Sequence, residues 1–212
     1  MEKSGRLGGF MTDWGHRPLT RRAFGGLTLA AMFGLAAPAS ASAAAEDYVR
    51  GIAQDVMDLA NAGQKGPALR AKFAALMNRY INLRSIADYA LGPYKKTLPA
   101  DQRDEFYDLV SNYAAALFVY YVEDFRGTQL EIISTTQQGK FTVIQSAIKG
   151  KGGREQVRWR LTPSGGGYRV SDVNIKGVWL TISMKDRFSK VLKSSKGDFG
   201  PLFAELKEAE TW

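Results

Sequence analysis

The fold is decided by residues 157–175, which read VRWRLTPSGGGYRVSDVNI. The first five residues alternate apolar with basic side chains, and this period of two is typical of a strand with one face on a core and the other in water. Glycines 165–167 then interrupt the pattern, and Tyr168 begins a second extended run. The segment therefore predicts a β-hairpin whose first strand has an apolar face and a basic face.

The same period continues on both sides of this hairpin. Upstream, runs beginning at Leu130 and Phe141 are separated by the turn residues Gly139 and Lys140. Downstream, a short turn at Gly177 leads into an apolar run over residues 178–184. Five strands joined by four tight connections predict an antiparallel meander.

Before Gly127 the apolar residues recur every three to four positions, which indicates helices. The spacing predicts helices over 46–62 and 67–80, a short one ended by Gly92-Pro93, a long one from near Pro99 to Phe125, and two closing helices over 185–195 and 199–210. This order predicts an α+β fold, with N-terminal helices on one face of a curved antiparallel sheet and C-terminal helices closing it. Such a fold can enclose an apolar cavity or a filled core, and the pattern leaves both open.

The first 43 residues are typical of a cleaved export signal. A basic start leads into an apolar run of about 15 residues, and small residues with A-x-A sites follow. The run is shorter than the about 20 residues that cross a bilayer, although an uncleaved membrane anchor is the alternative. The segment Thr20-Arg21-Arg22-Ala23-Phe24 resembles a twin-arginine export motif, while paired arginines also occur in ordinary secretory signals. We expect cleavage after Ala43 or Ala45, leaving a single domain over 44–212 in the periplasm.

Composition excludes several kinds of chemistry. The chain has no cysteine, and its one histidine, His16, lies in the predicted leader. The exported protein would therefore lack a thiolate nucleophile, a histidine base and an ordinary zinc site, and no cofactor is indicated. Removing five basic and two acidic residues with the leader leaves 24 basic and 19 acidic residues, a modest positive excess. Export would also separate the chain from nucleic acid.

Two blocks of sequence carry a resemblance to a known family. The first runs from Asn82 to Tyr113 and contains an Ile-Ala pair, Leu-Gly, an aromatic residue, Gln-Arg and Phe in that order. The second, residues 168–178, is similar to the pattern V-x-D-V-x-I-x-G-V. It is followed by the pair Arg187-Phe188, where the family has Arg-x-x-Phe, and by a closing segment from Gly197 to Leu206 that is similar to G-x-x-x-L-x-x-x-L. In order and spacing these blocks resemble the MlaC, or toluene-tolerance, family of periplasmic lipid carriers, which includes hopanoid-associated members.

The sequence departs from the family pattern at two places. Trp179 stands where the family commonly has a small serine, and the pair Lys95-Lys96 stands where an aromatic residue or arginine is expected. These changes bear on the shape of the pocket and on the preferred lipid.

The resemblance implies a carrier without enzymatic activity. It would hold phospholipid acyl chains in an internal cavity and exchange lipid between an outer-membrane lipoprotein complex and an inner-membrane ABC transporter. Burial contributes about 0.8 kcal/mol per CH₂, so acyl chains can be held without polar chemistry. From the alternation in the strands and the apolar stripe of the long helix we predict a lining, with packed core as the alternative for each residue: Tyr113, Leu117, Tyr120, Tyr121, Val143, Val157, Trp159, Leu161, Val178, Leu180 and Ile182.

Other functions remain open at this point. The carried lipid could be a hopanoid or another isoprenoid, and a structural adaptor at the inner membrane is a further alternative. An enzyme on a cone-like α+β scaffold would use Asp172 and a tyrosine as acid and base. We interpret Gly92 and Gly177 as turn residues and Asp172 as a polar anchor, and we expect Arg187 and Phe188 to dock the closing helix on the sheet.

Overall fold

The computed structural model describes residues 39–150, 153–175 and 177–209, apart from the side chains of residues 39, 40, 121 and 124. The predictions for the leader before residue 39 lie outside this part of the chain. The helices are α1 (Ala39–Asn61), α2 (Gly66–Tyr80), α3 (Leu83–Leu91), α4 (Arg103–Phe125), α5 (Leu180–Ser194) and α6 (Gly200–Glu208), with 3₁₀ turns at Gly92–Lys96 and Ala100–Gln102. The strands are β1 (Gln129–Gln138), β2 (Phe141–Gly150), β3 (Gly153–Ser164), β4 (Gly167–Ile175) and β5 (Val178–Trp179).

The five strands form one antiparallel sheet in the order β1-β2-β3-β4-β5, which confirms the predicted meander. The β3–β4 hairpin turns through Gly165 and Gly166, whose φ angles are 56° and 80°. Two successive positive φ angles match the right-handed twist of the flanking strands, and glycine adopts them without steric cost.

The register assigns each strand residue to one of two faces. The inner face carries Ile144, Trp159 and Val173, which lie directly opposite one another on β2, β3 and β4. The outer face carries the next residues along, including Val143 opposite Arg160 and Gln145 opposite Arg158. Irregularities between Ile132 and Ser134 and between Arg160 and Leu161 shift the register on β1 and at the β3–β4 pair. The alternation on β3, apolar inward and basic outward, is confirmed.

Helix α1 lies across the inner face and closes one part of the core. Its small and branched residues fit against the sheet because the apolar residues lie three to four positions apart on one stripe. The buried members of this cluster are Ala45, Val49, Ile52, Ile144, Leu161 and Val170.

The other helices form a second packed unit around α4. The rings of Phe73 on α2 and Phe118 on α4 stack with centroids 3.8 Å apart. Phe106, also on α4, is fully buried and lies 6.0 Å from Phe188 on α5 and 6.2 Å from Phe203 on α6, centroid to centroid. None of the described helices is both long enough and apolar enough to cross a bilayer.

Two expectations about the closing segment are wrong. Strand β5 ends at Trp179, and residues 180–184 belong to α5, because the buried carboxylate of Asp172 accepts the Thr181 N–H at 3.1 Å and the Thr181 hydroxyl at 2.6 Å. A carboxylate at the unpaired N–H groups of a helix start favours the helix over a continued strand. In addition, Arg187 and Phe188 dock α5 on helices and not on the sheet, since Arg187 Nε donates to Glu205 of α6 at 2.6 Å.

The predicted turn residues are confirmed. Gly92 ends α3 with φ 56°, and Gly177 turns between β4 and β5 with φ 87°. The predicted polar anchor, Asp172, is also confirmed by its 2 % exposure and its bonds to Thr181.

Candidate functional site

The inner face of the sheet has two ends with different burial. Around Ile144 and Leu161 the face is sealed by the first turns of α1. Toward the start of β1 and the end of β4 six inward apolar side chains are only half-buried, and they are Leu130, Ile132, Ile148, Val173, Ile175 and Val178. We refer to these six as the open end of the inner face. Ser146 and Val157, which lie between them, are buried, and Glu155 lies opposite Ile148. A contiguous apolar surface that its own fold leaves partly uncovered is typical of a binding site for an apolar ligand.

Helix α4 packs mainly against other helices. Its close backbone contacts are with α1, α2, α3 and α6, whereas the sheet has its close helix contacts with α1, α3 and α5. On α4, Phe118 and Val122 are buried against Ala60 and Leu69 of the neighbouring helices. Leu117, one position from Phe118, is only half-buried. The helix is therefore held mainly by other helices, and a cleft between α4 and the open end stays a prediction.

Trp159 lies at the boundary between the sealed end and the open end. Its ring is half-buried against the α1 cluster, and its Nε1 donates to the Ser146 hydroxyl at 2.9 Å. That hydroxyl donates in turn to the Val157 carbonyl at 3.0 Å. Because the indole N–H and the hydroxyl both have acceptors within the sheet, the remaining surface of the ring offers apolar contact only.

Four of the predicted lining residues share the inner face of the sheet. Val157 and Leu161 are buried, at 3 % and 0 % exposure, while Trp159 and Val178 are half-buried. Val178 lies opposite Ile175, which places it within the open end. The role of these residues in binding stays a prediction.

The predicted residues on α4 do not share one environment. Tyr113 is buried at 5 % exposure, Leu117 is half-buried and Tyr120 is 40 % exposed. The side chain of Tyr121 lies outside the described residues. Tyr113 lies in the electrostatic neighbourhood of Arg187, whose pKa is raised chiefly by its hydrogen bond to Glu205. Tyr113 therefore belongs to the helix packing, and Leu117 is the α4 residue whose burial fits a lining role.

Three predicted positions are corrected by the structure. Val143 lies opposite Arg160 and so occupies the outer face, because β2 is apolar on both faces and its phase cannot be read from its residue types. Leu180 and Ile182 lie on α5 and not on a strand, and Ile182 is 44 % exposed.

The sequence reasoning missed most of the open end. Leu130, Ile132, Ile148, Val173 and Ile175 were not among the predicted lining residues. The alternation along β4 was a usable signal, but the register shift beside Leu161 places Val170 and Val173 on the same face although they are three residues apart.

Two surface grooves lie away from these residues. One, of about 630 Å³, is lined by the 3₁₀ turn near Pro99 and the start of α6, including Phe199 and Phe203. The other, of about 440 Å³, lies between Ala44 and the β3–β4 hairpin. Neither groove includes any of the eleven predicted residues, and the enclosed apolar cavity stays a prediction.

The polar groups proposed for an enzyme are engaged in structure. Both oxygens of Asp172 are occupied: Oδ1 accepts the N–H groups of Val173 and Thr181, and Oδ2 accepts the Thr181 hydroxyl and an Arg160 N–H at 3.3 Å. The Tyr48 hydroxyl donates to the Tyr80 carbonyl at 3.2 Å, and burial raises the pKa of Tyr48. These groups hold elements of the fold together.

Comparisons with known proteins identify a family and a similar fold. The profile of the MlaC protein family matches residues 50–208. No curated protein matches the chain. Among solved structures, the chain is similar to a phospholipid-binding protein from Ralstonia solanacearum determined in complex with a phospholipid, with a TM-score of 0.66 and 19 % identity over 81 % of this chain and 97 % of that one. At this identity the likeness establishes a shared fold.

Proposed function

Since the chain belongs to the MlaC protein family, we propose that it is a periplasmic carrier that shelters phospholipid acyl chains between α4 and the inner face of its sheet. The carrier would exchange this lipid between an outer-membrane lipoprotein complex and an inner-membrane ABC transporter. Its family points to binding and transport in place of catalysis. The phospholipid found with the similar Ralstonia protein supports the choice of lipid class.

The observation that carries the proposal is the open end of the inner face. Burying apolar surface stabilises a protein by about 25 cal/mol for each Å² removed from water. The six half-buried residues of the open end therefore contribute less to stability than they would if a ligand covered them. An acyl chain matches this surface, because it needs no hydrogen bonds from the cleft.

We propose Arg126, which lies four residues before Leu130 of the open end in the chain, as the cation for the phosphate of the headgroup. Arg126 joins α4 to β1, and its Nε donates to the Ala60 carbonyl at 2.9 Å. Its Nη2 is buried without a hydrogen-bond acceptor, and it lies 3.3 Å from the Glu123 carboxylate without hydrogen-bond geometry. An unsatisfied guanidinium N–H costs free energy that a phosphate oxygen would recover. We therefore assign Arg126 to the headgroup.

Export and processing belong to the same proposal. Ala45 is fully buried in the α1 cluster, and the Ala41 carbonyl accepts a hydrogen bond from the Tyr168 hydroxyl at 3.0 Å. Cleavage at either site would remove Ala41 and its hydrogen bond to Tyr168, but cleavage after Ala45 would also remove a core residue that cleavage after Ala43 keeps. Ala43 is therefore the favoured of the two predicted sites, with the twin-arginine route as the proposed path. The mass of the exported protein distinguishes the two sites.

The direct test is native mass spectrometry of the protein purified from its own periplasm, followed by lipid extraction. We expect bound phospholipid. A protein that is lipid-free from this source would contradict the proposal. A bound isoprenoid in place of phospholipid would instead support the alternative, a carrier of isoprenoid lipid.

A matched pair of variants tests whether the lipid binds at the open end. Val178→Asp puts a charge on the open end, while Ile182→Asp puts the same charge on an exposed position of α5. We expect Val178→Asp to lose most of the bound lipid and Ile182→Asp to retain it, with both proteins folded by circular dichroism. Equal lipid content in the two variants would refute the placement.

A further inference from the structure

The outer face of the sheet carries a row of alternating cations and aromatic rings. Lys140 Nζ lies 5.3 Å from the Phe141 ring centroid, and the Arg160 guanidinium lies 5.2 Å from the same ring. Arg160 is also 4.0 Å from the Trp179 ring, and Arg158 is 5.7 Å from it on the same strand. We refer to these five residues as the cation ladder. It crosses β2, β3 and β5 on the side of the sheet opposite the cleft.

The ladder holds its guanidinium groups in fixed positions. Guanidinium groups stacked on aromatic faces keep their edge N–H groups free for hydrogen bonds, and they lose less side-chain entropy when a partner binds. Arg160 already forms an ion pair with the buried carboxylate of Asp172, at 3.3 Å. Arg158 is exposed and has no carboxylate partner within the described ranges. The ladder therefore presents a pre-positioned positive charge to solvent.

A buried amide beside Arg158 lacks an acceptor. Asn174 is 2 % exposed, and its Oδ1 receives only a long contact of 3.5 Å from Arg158 Nη2. Its Nδ2 has no hydrogen-bond partner in the part of the chain that the structure describes. A contact of 3.5 Å engages little of the Arg158 guanidinium, so its remaining N–H groups are free for a carboxylate.

The chemistry of the face favours a protein over a lipid surface. Polybasic membrane binding takes about 4–8 free Lys or Arg residues. On the outer face Lys149 and Arg154 are both paired with Glu131, and Arg160 is paired with Asp172. Phe141 and Trp179 are half-buried beneath the cations and do not protrude for insertion. Arginine and tryptophan are instead the residues enriched at the energetic centres of protein interfaces.

We propose that the cation ladder is a docking surface for a protein partner that presents carboxylates, on one of the membrane complexes between which the carrier moves. The inference rests on the proposed carrier function, because that function requires a contact with membrane-bound proteins. It places this contact on the face away from the cleft, so that the lipid path stays clear of the docked surface. Trp179, which replaces the small residue common in the family, completes the row.

The test measures binding of the lipid-loaded carrier to each of the two membrane complexes, the ABC transporter and the outer-membrane lipoprotein complex, purified from the same organism. Arg158→Glu reverses the free charge, and we expect affinity for at least one complex to fall at least tenfold. Trp179→Ser keeps the net charge but removes the ring between the two arginines, and we expect a severalfold loss for the same complex. Wild-type affinity should also weaken as salt rises from about 50 to 200 mM, because exposed charge pairs are screened.

Lys193→Glu is the matched control, because Lys193 is an exposed cation on the last turn of α5 and the charge change is identical. Equal affinities of Arg158→Glu and Lys193→Glu for both complexes would overturn the docking proposal. So would tight binding of the wild type to anionic phosphatidylglycerol vesicles that Arg158→Glu abolishes, with affinity for the complexes unchanged. Lipid content of each variant, measured in parallel, separates the outcomes: a lipid-free wild type refutes the carrier function, whereas a loaded wild type with an unaffected Arg158→Glu refutes only the docking surface.

Discussion

Replacing Asp172 with asparagine tests the contact that ends the sheet and begins α5. The side chain of Asp172 is 1 % exposed, and its two oxygens accept four hydrogen bonds, one of them from a guanidinium. Asparagine keeps the shape and can retain the Oδ1 bonds to two backbone N–H groups. Its amide nitrogen would then face two donors, the Thr181 hydroxyl and Arg160, where the aspartate has an acceptor.

The expected cost follows from these contacts. Hydrogen bonds to charged groups contribute about 1.5–3 kcal/mol each, and breaking a fully buried ion pair costs about 3–5 kcal/mol. Arg160 keeps 28 % of its side chain exposed and can be solvated again, so we take a lower figure, about 3 kcal/mol. For a domain of this size that corresponds to a fall in Tm of about 6–12 °C.

The assay is thermal unfolding followed by far-ultraviolet circular dichroism, with urea unfolding as a second measure. Asp101→Asn is the matched control, because Asp101 is exposed in a 3₁₀ turn and surface changes of this kind stay within about 0.5 kcal/mol. If Asp172→Asn unfolds within about 2 °C of Asp101→Asn, the carboxylate is not the anchor described above, and the early start of α5 needs another cause.

Three further predictions test the helical unit, a turn and a surface charge. Phe188→Ala should lower the free energy of unfolding by about 3–5 kcal/mol in urea titrations, because this buried ring packs on Phe106 and truncation leaves a cavity; a loss below about 1 kcal/mol would contradict the packing. Gly92→Ala should cost about 1–3 kcal/mol, since φ 56° with ψ −126° suits glycine alone and the added Cβ would lie 3.4 Å from Lys185 Cε; an unchanged Tm would contradict it. The hydrogen bond from Lys149 lowers the pKa of Glu131, so NMR titration should give a value below that of a free glutamate and Lys149→Ala should raise it. Because the folded pKa is the lower one, this contribution to stability is present above the unfolded pKa and is lost as the pH falls through the folded pKa.

The sequence predicted the order of elements because each type of period was sustained over many residues. Its errors arose where the local pattern could not report on distant partners. Residues 141–148 are apolar on both faces, so residue types alone could not decide that Ile144 points inward and Val143 outward. Residues 178–184 alternate like a strand, but the buried carboxylate of Asp172 bonds to Thr181 and begins a helix there. The boundary between β5 and α5 is therefore set by Asp172, nine residues before Thr181, whereas local propensity favours a longer strand.

The two faces of the sheet are coupled through the register of β3, and this makes the lipid site and the proposed docking surface interdependent. Along residues 157–161 every inward position contributes to the core or the cleft, and both outward positions belong to the cation ladder. A slip of one residue would place Arg158 and Arg160 against the α1 cluster and expose the Trp159 and Leu161 side chains to water. The Trp159–Ser146 hydrogen bond opposes that slip from β2, and the Arg160–Asp172 ion pair and the register shift beside Leu161 oppose it from β4. It follows that a substitution that loosens β3 should impair lipid retention and partner binding together, whereas Val178→Asp and Arg158→Glu should each impair only one.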